Sequence, residues 1–111
     1  MNKIDAFIKY SQEVRDALAR NRAVVALETT LISHGLPYPV NIELATTLEE
    51  IIRNSGAVPA TIALIDGYIK IGLTKDELDR LGDEKSKGDV VKVSRKDIPY
   101  TLSMKYTSEV L

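Results

Sequence analysis

The chain has 111 residues, 44% of them hydrophobic and 28% charged, which is typical of one small globular domain and disfavours a disordered chain. Fifteen basic and sixteen acidic residues nearly cancel, so no basic surplus favours a nucleic-acid partner. There is no cysteine, no apolar run of the roughly 20 residues that a membrane helix needs, and no apolar signal core. We therefore expect a cytoplasmic protein without disulfides, thiolate zinc or membrane spans.

The first forty residues alternate between helix-like and strand-like patterns. Apolar residues recur at spacings of three and four, which predicts a helix over residues 3–20 that Asn21 ends in a left-handed conformation. Five consecutive apolar residues, 23–27, predict a strand buried on both faces. Residues 28–39 have no periodicity and contain three residues that interrupt helices and strands, one glycine and two prolines, which indicates a long loop.

A second helix is predicted to follow this loop. Asn41 is its expected N-cap, and Ser55 and Gly56 are its expected end. The periodicity predicts a core face made of Leu44, Leu48, Ile51 and Ile52.

The rest of the chain predicts a hairpin, a helix and a strand. Asp66-Gly67 is a type I′ turn signal between strands at 60–65 and 68–71. Thr74 and Glu77 have the spacing of a capping box and open a short helix through Leu81. A charged loop over 82–88 then leads to a buried-type strand at 90–93, and residues 94–97 could cap another helical turn.

This order of elements predicts an α/β fold, a three-layer α/β/α sandwich with a largely parallel sheet. Functional groups of such folds gather at the carboxyl ends of the strands. Glu28 follows one strand and Ser94 follows another, so both are candidates.

The loop after the first buried-type strand carries the densest set of reactive side chains. We expect the carboxylate of Glu28 to be held rigidly and partly desolvated, which favours proton transfer. Thr29, Thr30, Ser33 and His34 add hydroxyl and imidazole groups. The alternatives are that Glu28 caps the loop or pairs with a surface cation, and that His34 makes a structural hydrogen bond.

A second cluster surrounds the end of the 90–93 strand. Alternation along the strand places Lys92 and Ser94 on one side, and a helix starting at Ser94 would expose backbone amides there. With Arg95 and Lys96, this arrangement suits a phosphate. The alternative is a solvated basic corner.

Five stretches together resemble the pseudouridine-5'-phosphate glycosidase family, also called indigoidine synthase A-like, and their order and spacing match over residues of about 5–100. The stretches are Val-Ala-Leu-Glu-Thr-Thr at 25–30, Ile-Ser-His-Gly-Leu-Pro-Tyr-Pro at 32–39, Gly-Ala-Val-Pro-Ala-Thr-Ile-Ala at 56–63, Ile-Gly-Leu-Thr at 71–74, and Val-Lys-Val-Ser-Arg-Lys-Asp-Ile-Pro-Tyr at 91–100.

The resemblance implies reversible cleavage of pseudouridine 5'-phosphate to uracil and ribose 5-phosphate, through an open sugar bound to a lysine as an imine. It implies that Glu28 moves the proton and that Lys92 contacts the substrate, with Thr29, Thr30, His34 and Ser94 as further site candidates. A divalent metal, usually manganese, and a homo-oligomer such as a trimer are also implied.

The chain departs from the family in length, because the metal-binding aspartate and the imine-forming lysine of the family have no counterparts among these 111 residues. We therefore expect residues 1–111 to be the N-terminal portion of a glycosidase domain, as a truncation, one piece of a split protein or a fragment, and to be inactive alone. A non-catalytic interaction or phosphate-binding module is the second hypothesis. An unrelated nucleotide-binding α/β domain is the third, and the order of the motifs disfavours it.

Overall fold

The computed structural model describes residues 3–29, 36–83, 90–93 and 107–110. These residues form one sheet with helices on both sides. The elements, in chain order, are a 3₁₀ helix Lys3–Phe7, β1 Ile8–Tyr10, α1 Gln12–Ala19, β2 Val24–Leu27, α2 Val40–Asn54, β3 Val58–Ile65, β4 Tyr68–Ile71, α3 Lys75–Gly82, β5 Val90–Val93 and β6 Thr107–Val110.

The N-terminal segment corrects the prediction of one helix over residues 3–20. It is divided into the 3₁₀ helix, β1 and α1, because β1 pairs in parallel with β4. Ser11 then caps α1, and its hydroxyl accepts the backbone N–H of Val14 at 3.2 Å. Asn21 has a φ of 56°, so the predicted left-handed stop is confirmed.

The sheet has the strand order β1-β4-β3-β6-β5, and β2 pairs with the first half of β3. The pairings β1–β4, β2–β3 and β5–β6 are parallel, whereas β3–β4 and β3–β6 are antiparallel. Most pairings are therefore parallel, as the predicted fold class requires, and β3 is the central strand.

Helices cover both faces of β3, which confirms the three-layer arrangement. On one face, Val58 and Ala60 pack against α1 through Val14 and Ala17. On the other face Ala63 and Ile65 pack against α2 and α3; the helix residues in this cluster are Ala45, Leu78 and Leu81. Successive residues of a strand point to opposite faces, so one apolar strand supplies both cores.

The local signals of the second half are confirmed. Asp66 and Gly67 both have positive φ, 51° and 86°, and join β3 to β4 as a hairpin. Thr74 and Glu77 form the reciprocal capping box of α3. Gly56, with φ of 93°, follows the end of α2.

Two predictions about burial and one about a helix cap are wrong. Strand β2 is not buried on both faces, because Val25 and Ala26 are exposed. Helix α2 begins at Val40 and has Pro39, not Asn41, as its N-cap, without a side-chain cap bond. Its buried residues are Asn41 and Ala45, while Leu48 and Ile51 are exposed.

Candidate active site

Glu28 follows the last residue of β2, at the strand end where the sequence predicted it. Its side chain is exposed, so the partial desolvation that we expected is not present. The exposure follows from the position of β2, which pairs with β3 alone among the described strands. Glu28 is therefore rigidly placed by its strand and open to solvent.

Thr29, the next residue, is fully buried. Its hydroxyl Oγ1 donates to the backbone carbonyl of Ile62 in β3 at 3.0 Å. The last paired residues of β2 and β3 are Leu27 and Thr61. The Thr29 bond therefore extends the contact between these two strands beyond their last pair. In this structure Thr29 therefore holds the backbone beside Glu28 against the central strand.

Strands β2 and β6 lie on the same side of β3. The N–H of Val58 donates to the carbonyl of Ala23, so the even-numbered residues of β3 direct their backbone groups towards β2. The carbonyl of Thr61 accepts the N–H of Gly72, which follows β4. The odd-numbered residues of β3 therefore direct their backbone groups towards β4. Strand β6 lies across β3 from β4, and therefore shares an edge of β3 with β2.

The carboxyl ends of β2 and β5 consequently approach each other near the middle of β3. Leu27 is in register with Thr61, and Lys92 is in register with Glu109, which in turn pairs with Ala63. With a rise of about 3.3 Å per residue and a strand spacing of about 4.8 Å, the Cα atoms of Leu27 and Lys92 lie roughly 8–10 Å apart. The topology thus brings the backbone of Lys92 near Glu28, although β2 and β5 run in opposite directions.

A cavity of about 120 Å³ opens beside Glu28, between β2 and α2. Most of its lining is apolar, and its polar members are Glu28, Asn41 and Thr61. Asn41 and Thr61 are only 1% and 2% exposed. A mostly apolar cavity with a few fixed polar groups is the usual form of a small-molecule site.

Thr61 was missed by sequence reasoning. Its hydroxyl donates to Oε2 of Glu49 at 2.6 Å, and Glu49 in turn is 3.4 Å from Arg53. A hydroxyl has one proton, and the proton of Thr61 is used in the bond to Glu49. Towards a ligand in the cavity, Thr61 can therefore act only as a hydrogen-bond acceptor. The signal was present in the sequence, because Thr61 is a polar residue inside the apolar strand β3.

The start of α2, on the other side of the cavity, is held by bonds to α3. Nδ2 of Asn41 donates to the carbonyl of Gly82 at 2.8 Å, and Oδ1 accepts the N–H of Ile42. The hydroxyl of Tyr38 donates to Asp79 at 3.0 Å. The bonds from Tyr38 and Asn41 hold the chain just before and at the start of α2 against α3.

Several predicted site residues lie outside the described part of the chain: Thr30, Ser33, His34, Ser94, Arg95 and Lys96. Within the described part, no group of three or more His, Cys, Asp or Glu side chains could hold a metal ion. The same part contains no helix long and apolar enough to cross a membrane.

The sequence matches the family model described as "Indigoidine synthase A like protein" over residues 13–109. The chain belongs to this family.

Curated relatives and solved structures extend this assignment. The chain is 55% identical over 105 residues to a pseudouridine-5'-phosphate glycosidase of Staphylococcus aureus, covering 95% of the chain and 33% of the relative. It is 53% identical over 102 residues to the enzyme of the same name from Clostridium botulinum, covering 92% of the chain and 33% of the relative.

Two solved structures share the fold. The prealnumycin C-glycosynthase, crystallised with ribulose 5-phosphate, has a TM-score of 0.79 and 34% identity over 95% of this chain and 32% of its own. An indigoidine synthase A-like protein of Thermotoga maritima has a TM-score of 0.77 and 28% identity over 94% of this chain and 32% of its own. The chain thus spans about a third of the length of the relatives that it matches.

Proposed function

We propose that this chain supplies part of the active site of a pseudouridine-5'-phosphate glycosidase, which cleaves the C–C glycosidic bond to give uracil and ribose 5-phosphate. The observation that carries the proposal is 55% identity, over 95% of this chain, to a relative of that name. The ribulose 5-phosphate bound to the prealnumycin C-glycosynthase supports a pentose 5-phosphate as the substrate class.

Glu28 is proposed as the proton-transfer residue. When the bond between sugar and base breaks, the uracil carbon that loses the sugar must gain a proton. A carboxyl group at a fixed strand end can exchange that proton with the base and with water. The position of Glu28, beside an open cavity and anchored through Thr29 to β3, supports this role.

Lys92 is proposed as a substrate contact. Its backbone lies in β5 in register with Glu109, at the level of β3 where β2 ends. A cation at this position would attract the phosphate or an oxygen of the sugar. Thr30, His34 and Ser94 remain further candidates from the family resemblance.

The resemblance also implies an imine-forming lysine, a divalent metal such as manganese and a homo-oligomer, and these belong to the same proposal. The cytoplasmic location that the composition predicts belongs to it as well. The described residues do not provide a metal site, so we derive no step of the reaction through the metal. A metal would be held by other residues of the family fold.

A chimera tests the proposal. The matched third of the Staphylococcus aureus relative is replaced by this chain, and uracil release from pseudouridine 5'-phosphate is followed by absorbance with manganese present. We expect the chimera to release uracil and the 111-residue polypeptide alone to release none. The polypeptide lacks a counterpart of the imine-forming lysine, whose amine the covalent step requires. A chimera that melts cooperatively but releases no uracil would refute the proposal.

A further inference from the structure

Glu28 lies between two points at which the backbone is attached to β3. On its N-terminal side, Leu27 is the last residue of β2 that is in register with β3. On its C-terminal side, the hydroxyl of Thr29 donates to the carbonyl of Ile62 at 3.0 Å. Only Glu28 separates these two attachments, so its backbone has little freedom to move while both are made.

The Thr29 bond falls where the ladder between β2 and β3 would continue. In a parallel pair, every second residue of one strand bonds to the other strand through both its N–H and its carbonyl. The register of Leu27 with Thr61 makes the carbonyl of Ile62 the next acceptor on this edge of β3. The hydroxyl of Thr29 therefore extends the attachment by one step after regular pairing has ended.

The acceptor of this bond belongs to the most firmly held part of the sheet. Strand β3 pairs with β2, β4 and β6. Thr61, the residue before Ile62, also bonds to Glu49 of α2 at 2.6 Å. The Thr29 hydroxyl thus fastens the chain beside Glu28 to a strand that is itself tied to its neighbours and to a helix.

The burial of Thr29 favours a positioning role over direct contact with a substrate. Its side chain is 0% exposed, whereas Glu28 is exposed. The single proton of the Thr29 hydroxyl is used in the bond to Ile62, so it cannot also be donated to a ligand. Thr29 therefore acts on the backbone, and Glu28 is the group that reaches solvent.

The Glu28 carboxylate depends on this backbone support. Within the described part of the chain, it makes no hydrogen bond and no ion pair. A group that transfers a proton must lie within hydrogen-bond reach of the atom it serves. Because a displacement of 1 Å can lower a rate by about 10², the attachment at Thr29 matters for the chemistry proposed for Glu28.

We propose that Thr29 is a positioning residue for Glu28. Its buried bond to Ile62 holds the Glu28 carboxylate at one place on the edge of the sheet during proton transfer. This role rests on the proposed function of Glu28, but the attachment itself can be measured without turnover.

Backbone ¹⁵N relaxation of the 111-residue chain measures the attachment. Thr29→Val keeps the branched shape and removes the donor, whereas Thr29→Ser keeps the hydroxyl. We expect the order parameter of the Glu28 amide to be about 0.85 in the wild type and in Thr29→Ser, and below about 0.6 in Thr29→Val. The amide of Val25, in the paired part of β2, should stay near the wild-type value in all three proteins.

Two outcomes of the relaxation measurement would overturn the proposal. An unchanged order parameter of Glu28 in Thr29→Val would show that the hydroxyl does not hold it. Loss of order at Val25 as well would show that Thr29 has a general role in folding. Neither outcome depends on glycosidase activity, so failure of this proposal and failure of the proposed function are distinguishable.

Kinetics of the chimera measure the consequence for proton transfer. Thr29→Val should lower kcat roughly 10–100-fold and leave KM within about twofold, and Thr29→Ser should restore most of the loss. In the Glu28→Gln background, Thr29→Val should change kcat by less than about twofold, because it acts through a group that no longer transfers a proton. Thr74→Ala, which removes a hydroxyl bond at the start of α3, should leave kcat unchanged.

The double substitution separates positioning from other roles. An equal fall in kcat with and without the Glu28 carboxylate would overturn the proposal, since Thr29 would then act independently of Glu28. A higher KM at unchanged kcat would also overturn it and would indicate a substrate contact. If the unmodified chimera releases no uracil, the proposed function fails and the order parameter of Glu28 still decides whether Thr29 holds it.

Discussion

The side-chain amide of Asn41 and the backbone carbonyl of Gly82 form a buried hydrogen bond of 2.8 Å, which joins the start of α2 to the end of α3. A side chain at Gly82 would interfere with this contact, since a Cβ there would overlap Ile42 and lie 2.9 Å from Nδ2 of Asn41. The bond therefore fixes both the packing of the two helices and one wall of the cavity beside Glu28.

Asn41→Ala should destabilise the chain. The substitution leaves the carbonyl of Gly82 without its amide partner, and an unsatisfied buried group costs about 1–3 kcal/mol. Urea unfolding of the 111-residue chain measures the change. Asn54→Ala, an exposed position of the same helix, should change the free energy of unfolding by less than about 0.5 kcal/mol. Equal effects of the two substitutions would contradict a structural role for the Asn41–Gly82 bond.

Thr74→Ala should shorten or loosen α3. Oγ1 of Thr74 accepts the N–H of Glu77 at 3.2 Å, and loss of such an N-cap costs about 1 kcal/mol. The free energy of unfolding should fall by that amount, whereas Thr47→Ala, at an exposed position within α2, should leave it unchanged or raise it slightly. A Thr74→Ala protein as stable as the wild type would show that the cap contributes nothing.

Glu77 should make the stability depend on acid pH. Burial raises the pKa of its carboxyl, but the N–H of Thr74 and the ammonium of Lys70, 2.9 Å away, outweigh burial and hold the pKa below its ordinary value of 4.5. The unfolded chain therefore takes up this proton at a higher pH than the folded chain. The contribution of Glu77 is complete above 4.5 and is lost as the pH falls through the lower, folded-state pKa.

Glu77→Gln should accordingly lose less stability than the wild type between about pH 5 and pH 3, as urea midpoints at several pH values would show. The dependence should be reduced and not abolished, since the hydrogen bond from Arg53 lowers the pKa of Glu13 in the same direction. Glu50→Gln, at an exposed position of α2, is the matched control. If the stability of Glu77→Gln falls at acid pH as steeply as that of the wild type, the proposed contribution of Glu77 to the pH dependence is wrong.

The features that the sequence predicted correctly are mostly local. The Asp66-Gly67 hairpin, the capping box at Thr74 and the left-handed Asn21 each depend on a few adjacent residues. The single helix over residues 3–20 was wrong because β1 is stabilised by pairing with β4, some sixty residues away. Periodicity cannot reveal a partner so distant in the chain.

The candidate site was predictable in position but not in environment. The apolar run before Glu28 correctly placed it at a strand end, whereas its exposure depends on what lies beside β2. The periodicity of α2 likewise indicated which positions of the helix are apolar. It did not distinguish the residues that pack on β3 from those that remain exposed. Thr61 became a candidate only through its hydrogen bond to Glu49 and its place in the lining of the cavity, and both are properties of the folded chain.

The most direct test of the account is the turnover number of Glu28→Gln in the chimera. The amide keeps the shape of the side chain but cannot carry a proton, so we expect kcat to fall by about 10²–10⁴ with substrate binding nearly unchanged. Lys92→Ala should instead mainly raise KM, and Glu43→Gln, in the first turn of α2, should leave both constants unchanged. If Glu28→Gln turns over as fast as the unmodified chimera, Glu28 does not transfer the proton and the central claim is wrong.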